Sequence, residues 1–196
     1  MRSVYVMFLA LLLSCAVPKQ VNYLADYEDQ LLQWCSDTNP WSPHEGAPTS
    51  CDSPEDSSWD HYPLSVSADP GASQAVLEAI EAINYQTGVE LLRLTAVNER
   101  PDVMVVVMGD ALFVAGRAMR WTDAEGADRA GVAVYGEDYQ DRADLMMHEL
   151  GHVLGLRHDY GNRLSIMHES LGPKVMSLQH EDVKALRTMY YKVLRD

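Results

Sequence analysis

Apolar residues along this chain fall into stretches of distinct period, and each period predicts an element. From Ser73 onward Ala75, Val76, Leu77, Ala79, Ile80 and Ile83 recur at helical spacing up to about Tyr85, and Gly88 supplies a residue able to end that helix. Tyr62 to Ser67 reads as a preceding strand, and Asp69-Pro70-Gly71 as the turn between them. Downstream, Val89 to Thr95 alternates and Val103 to Met108 is continuously apolar, while Leu112 to Trp121 and Gly131 to Tyr135 are bounded by Gly and Asp clusters. They read as three or four strands of a mixed, twisted sheet. Helical spacing returns over Asp144 to Leu154. It returns again over about Leu178 to Leu194, where Ser177 is the expected N-cap and Val183, Leu186, Met189 and Tyr190 turn inward. The predicted class is α+β.

The first sixty residues lack this regularity. Met1-Arg2 precedes an apolar run, Val4 to Leu13, too short to remain as a membrane span, so residues 1–14 read as an export signal. Leu12-Leu13-Ser14-Cys15 resembles a bacterial lipobox, which implies lipidation at Cys15 and, with Ala16 next, an outer-membrane anchor. Ser14-Cys15-Ala16 also fits an ordinary cleavage site, which would release a soluble secreted protein. Residues 15–60 are broken by Pro40, Pro43, Pro48 and Pro54 and read as an irregular tether or pro-like cover; Trp34, Trp41 and Trp59 imply that part of it packs on the domain. Residues 61–196 are left as one globular domain.

Composition narrows the partners. A formal charge of -14 across 196 residues excludes nucleic-acid binding as a purpose, because a phosphate backbone is held by clustered Lys and Arg. Apart from Cys15, the only cysteines are Cys35 and Cys51, expected to form a disulfide in an oxidising compartment; a thiolate of this pair on the metal of a latent form is the alternative.

The chemistry is concentrated in His148-Glu-Leu-Gly-His-Val-Leu-Gly-Leu-Arg-His-Asp159. On a helix, residues four apart share a face, so His148 and His152 can present imidazoles to one metal ion. Gly155 tolerates the left-handed conformation that stops a helix and lets the chain return His158 to the same ion. Three neutral imidazoles leave a tetrahedral zinc one open position for water. Glu149, beside the first ligand but outside the shell, suits a general base acting on that water. The competing reading is a buried amphipathic helix with incidental histidines.

These residues match the signature H-E-x-x-H-x-x-G-x-x-H of the metzincins at every position, and Leu164-Ser165-Ile166-Met167 resembles the methionine turn that follows it. The short connection from His158 to Met167 and the chain ending resemble the matrixins, whereas Asp159 after the third histidine resembles the adamalysins. The resemblance implies a metzincin-like catalytic domain over roughly 61–196: a twisted mixed sheet, an active-site helix above the cleft, and a small C-terminal helical subdomain. It implies Met167 as an apolar floor under one catalytic zinc, and Asp159 as an anchor for the loop beneath. It also implies a protein or peptide substrate extended along an edge strand, expected at Leu112 to Arg120.

Some family features are missing. No matrixin switch peptide is present, no histidine lies between 62 and 147 for a second zinc, and Glu169 stands where astacin-like enzymes place a tyrosine. His168 reads as a surface residue. Thr122 to Asp128 carries carboxylates suited to calcium without a recognisable cage, so calcium is possible but unsupported. The expected function is zinc-dependent endopeptidase. The alternatives are a non-catalytic zinc-binding surface lipoprotein, or a latent enzyme blocked by its N-terminal segment.

Overall fold

A computed structural model describes residues 59–95, 100–109, 115–122, 125–168 and 177–195. The expected lipidation site Cys15 and the pair Cys35 and Cys51 lie outside the described residues.

The chain builds an α+β domain around a five-stranded sheet, with strands β1 (Leu64–Ala68), β2 (Leu92–Leu94), β3 (Val103–Met108), β4 (Gly116–Thr122) and β5 (Asp128–Tyr135) in the order β2-β1-β3-β5-β4. The first four strands in that order run parallel and β4 returns antiparallel along β5. This makes β4 an edge strand. Two helices, α1 (Ser73–Thr87) and α2 (Ala143–Val153), pack together and against the sheet, and α3 (His180–Val193) packs on α1.

Local chemistry explains most of these bounds. Gly88 ends α1 in the left-handed region at φ 69°, its N–H donating to Asn84 O at 2.8 Å. β2 is shorter than its alternating sequence because the Asn84 side chain occupies the chain where pairing would begin. Asn84 Oδ1 accepts from the N–H groups of Leu91 and Leu92, and Nδ2 donates to Leu92 O. β5 begins at Asp128, earlier than Gly131, because pairing with β4 extends to Thr122 opposite Asp128. α3 is capped by Gln179 and not by Ser177. Asp182 reaches back to accept the Gln179 N–H at 3.1 Å, whereas Ser177 Oγ donates only to Leu178 O. Leu178 N–H donates to Gln86 Oε1 and Arg187 Nε donates to Thr87 O, which tie α3 to the end of α1. Among the described residues no helix is long and apolar enough to cross a membrane.

Trp59 is buried in the core, its Nε1 donating to Val153 O at 2.9 Å with the Arg120 guanidinium 4.3 Å from its ring centre. This agrees with the expectation that an aromatic of the preceding segment packs on the domain. Beside it, Asp102 joins three elements. Its Oδ2 accepts from Ser65 N and Ser65 Oγ at 2.8 and 2.7 Å, and its Oδ1 accepts from Arg129 at 3.1 Å. Burial pushes the Asp102 carboxyl up, but the Ser65 hydrogen bonds and the neighbouring His61 outweigh it and hold the group below its usual range. A depressed folded value adds stability above the unfolded pKa of about 3.9, which is lost as pH falls through the folded value. Asp102→Asn is therefore expected to cost about 1–3 kcal/mol at neutral pH, and the gap to the parent should close below about pH 4 in denaturation curves.

Candidate metal centre

The centre is assembled by the end of α2 and the loop after it. His148 and His152 lie one turn apart on α2, whose last turn is followed by Leu154 and then Gly155 at φ 97°. That positive φ favours glycine, and the reversal it permits brings His158 back toward the helix. His152 Nε2 lies 3.0 Å from His148 Nε2 and 3.1 Å from His158 Nε2. The backbone fixes two of the three tautomers. His148 Nδ1 donates to Ile166 O at 2.6 Å and His152 Nδ1 donates to Leu156 O at 2.8 Å, so the Nε2 of each carries a lone pair inward. Burial pushes the His148 pKa down, more than the Ile166 carbonyl raises it, which favours the neutral, ligating form.

Three imidazole nitrogens at these separations fit one zinc ion, since donors at about 2.0–2.1 Å in a tetrahedral shell stand roughly 3.3 Å apart. Among the described residues they are the only group of His, Cys, Asp and Glu side chains that converges closely enough to hold a metal. The acidic loop offers less for calcium. Glu125 pairs with Arg100 at 2.8 Å and Asp128 with Arg120 at 3.6 Å, while Asp123 lies outside the described residues.

Met167 lies beneath the helix and is fully buried. A Cβ added at Gly151 would sit 2.6 Å from Met167 Sδ, so the glycine between Glu149 and His152 is what lets the methionine press against α2. Asp159 holds the intervening loop: its N–H donates to Met167 O at 2.8 Å and its Oδ1 accepts from Gly161 N at 3.0 Å. Tyr160 is exposed beside the centre, its hydroxyl 3.5 Å from His158 Nδ1. His168 is half-buried, and its charge contributes to the lowered pKa of His148.

Glu149 is buried, and burial pushes its pKa up to about 8 against the opposing charge of Arg117. Its carboxylate lies against the edge strand: a Cβ built on Gly116 would stand 2.6 Å from Glu149 Oε1 and 3.0 Å from Leu145 Cδ1. Sequence reading passed over Gly116 and Gly151, although a glycine inside a strand or a helix is itself a sign of close approach. Gly116→Ala is expected to displace the Glu149 carboxylate. A misplacement on the order of 1 Å costs about 10²-fold in rate. Steady-state kinetics should show this loss in kcat, with metal content unchanged.

Three histidines on a helix and its return loop, over a buried methionine and under a mixed sheet with an antiparallel edge, define a metzincin-type zinc metallopeptidase domain. Residues 56–191 match the family model for Matrixin, and the chain belongs to the matrixin family. Solved structures similar to it include metalloproteinase-II from Bacteroides fragilis, with 13% identity, a TM-score of 0.44 and 76% of this chain covered. Others are myroilysin, with 14% identity and a TM-score of 0.44 over 76% of this chain, and the GM1-bound ECX AB5 holotoxin, with 15% identity and a TM-score of 0.39 over 65%. The match spans 58%, 93% and 79% of those three chains respectively. A search of curated proteins returns no match.

Proposed function

We infer that the protein is a zinc-dependent endopeptidase in which His148, His152 and His158 hold the metal and Glu149 moves the proton. The observation that carries this reading is the convergence of three Nε2 atoms beside a buried carboxylate that stands outside their cluster and faces an edge strand. Zinc, when bound there, supplies a positive charge that polarises a carbonyl, lowers the pKa of water to about 7 and favours the ionised form of Glu149.

The chain's own groups do the rest. Glu149 accepts a proton from the attacking water as oxygen adds to the scissile carbonyl carbon. The same carboxyl then delivers that proton to the departing nitrogen as the C–N bond breaks. Burial suits it to both roles, because a raised pKa makes the carboxylate a stronger proton acceptor than an exposed one and keeps the carboxyl protonated near neutral pH until the departing nitrogen takes the proton. β4, the terminal strand of the sheet among the described residues, would take an extended peptide alongside it, held by main-chain hydrogen bonds with little demand on sequence. Asp159 and Met167 keep the third histidine and the floor in place.

The same reading covers an exported enzyme, held to the outer membrane through Cys15 or released as a soluble form. Digestion of a peptide library by the full chain, with and without chelation, tests the activity. Internal cleavage that disappears on chelation is the expected outcome; stoichiometric zinc with no cleavage would favour the non-catalytic zinc-binding alternative.

A further inference from the structure

The sheet has a second face that the helices leave alone. Successive strand residues point to opposite sides, and the register sets Val103, Val105, Ala118, Ala130, Val132 and Val134 on the face that carries α1 and α2. The opposite face carries Ser67, Met104, Val106, Met119, Ala133 and Tyr135. None of these apolar residues belongs to the core shared with the helices. A sheet face open to water would carry polar residues, whereas parallel strands, three of the four pairings here, are usually covered on both faces. Here that face is apolar and dry, with Met104 and Val106 each 1% exposed. Ser67 is fully buried, and its Oγ finds no hydrogen-bond partner among the described residues.

We propose that residues 21–34 of the N-terminal segment lie across this outer face and form a third layer of the catalytic domain. Val21, Leu24, Tyr27, Leu31 and Trp34 recur every three or four residues, which on a helix makes one apolar stripe with Asp26, Asp29 and Gln33 opposite. Fourteen helical residues span about 21 Å, matching the roughly 19 Å across five strands. Residues 16–58 hold eight carboxylates against one lysine, and on this face Arg93 pairs with Glu90 and Arg129 with Asp102, so the apolar stripe and not charge would make the contact. Residues 35–58 provide ample length to reach Trp59, where the described domain begins. The other stretches outside the described residues that join one strand to the next in sequence, 96–99, 110–114 and 123–124, hold at most five residues each, fewer than a layer across five strands needs. The segment is then neither a free tether nor a plug in the metal site, but a structural part of the enzyme that stays away from the cleft.

Full-length protein carrying photo-methionine tests the placement. Irradiation should cross-link Met104 and Met119 to peptides from residues 21–34. Cross-links from these methionines only to 110–114 or to a second copy of the chain would overturn the proposal, as would a lack of any cross-link. In a Leu24→Asp, Leu31→Asp double variant the cross-links should be lost and Met104 should become open to hydroxyl-radical oxidation. Met147, on the helix side, serves as the folding control and should remain protected. Equal protection of Met104 and Met147 in that variant would also overturn it.

Discussion

Glu149→Gln is expected to lower kcat for peptide hydrolysis by about 10²–10⁴-fold, the range contributed by a positioned acid or base. Glutamine keeps the shape of the side chain against Gly116 and the packing around it but can neither accept the water's proton nor return it. Bound zinc should be unchanged, because the three imidazoles converge without any help from residue 149. Stability should not fall. A buried carboxyl whose pKa is pushed up to about 8 is held at a cost to the fold, and a neutral amide avoids the desolvation of charge. A variant that keeps the parent's kcat would remove Glu149 from the mechanism. One that loses both kcat and zinc would recast it as a structural support of the centre.

The histidine cluster that could hold a metal was legible in sequence because it is encoded locally. Ligand spacing on α2, the reversal at Gly155 and the return of His158 all depend on residues within one short run, and the backbone follows from its local preferences. The helix from Ser73 and the strand Val103–Met108 were equally legible, since their apolar periods are unbroken. Other features depend on distant partners and left only faint marks. Ser177 is the better intrinsic cap, yet α3 starts at Gln179 because Asp182 and the contact of Leu178 with Gln86 fix the chain there. Gly116 matters because β4 passes directly over Glu149, and Gly151 because Met167 rises from beneath. Neither approach can be read from neighbours in sequence. Asp102 likewise stands in an unremarkable loop sequence, and only the pairing of β1 with β3 sets it against Ser65.

Removing the metal is expected to abolish hydrolysis and to destabilise the domain, with both restored by added zinc. Without a cation, the lone pairs on His148 and His152 Nε2 face each other at 3.0 Å, with the His158 nitrogen 3.1 Å from the latter. Sharing a proton would relieve that repulsion, but burial already pushes the His148 pKa down and opposes it. The backbone bonds that orient His148 and His152 also prevent an easy flip, because turning either ring would leave Ile166 O or Leu156 O without its donor. A ligand that binds only the folded state at about 1,000 times its Kd stabilises by about 4 kcal/mol, which for a chain of this size corresponds to a Tm drop of roughly 10 °C on chelation. Replacement of His152 by Ala should reproduce the loss of zinc and of activity, since its nitrogen stands between the other two. Its apo form should be no more stable than chelated parent protein, because the substitution leaves Leu156 O without its donor and opens a cavity beside His148, and chelator should leave its Tm unmoved. Calorimetry of parent and variant, each with and without chelator, separates the two effects. A parent Tm that does not move on complete zinc removal would mean that the histidine cluster is held by the fold alone.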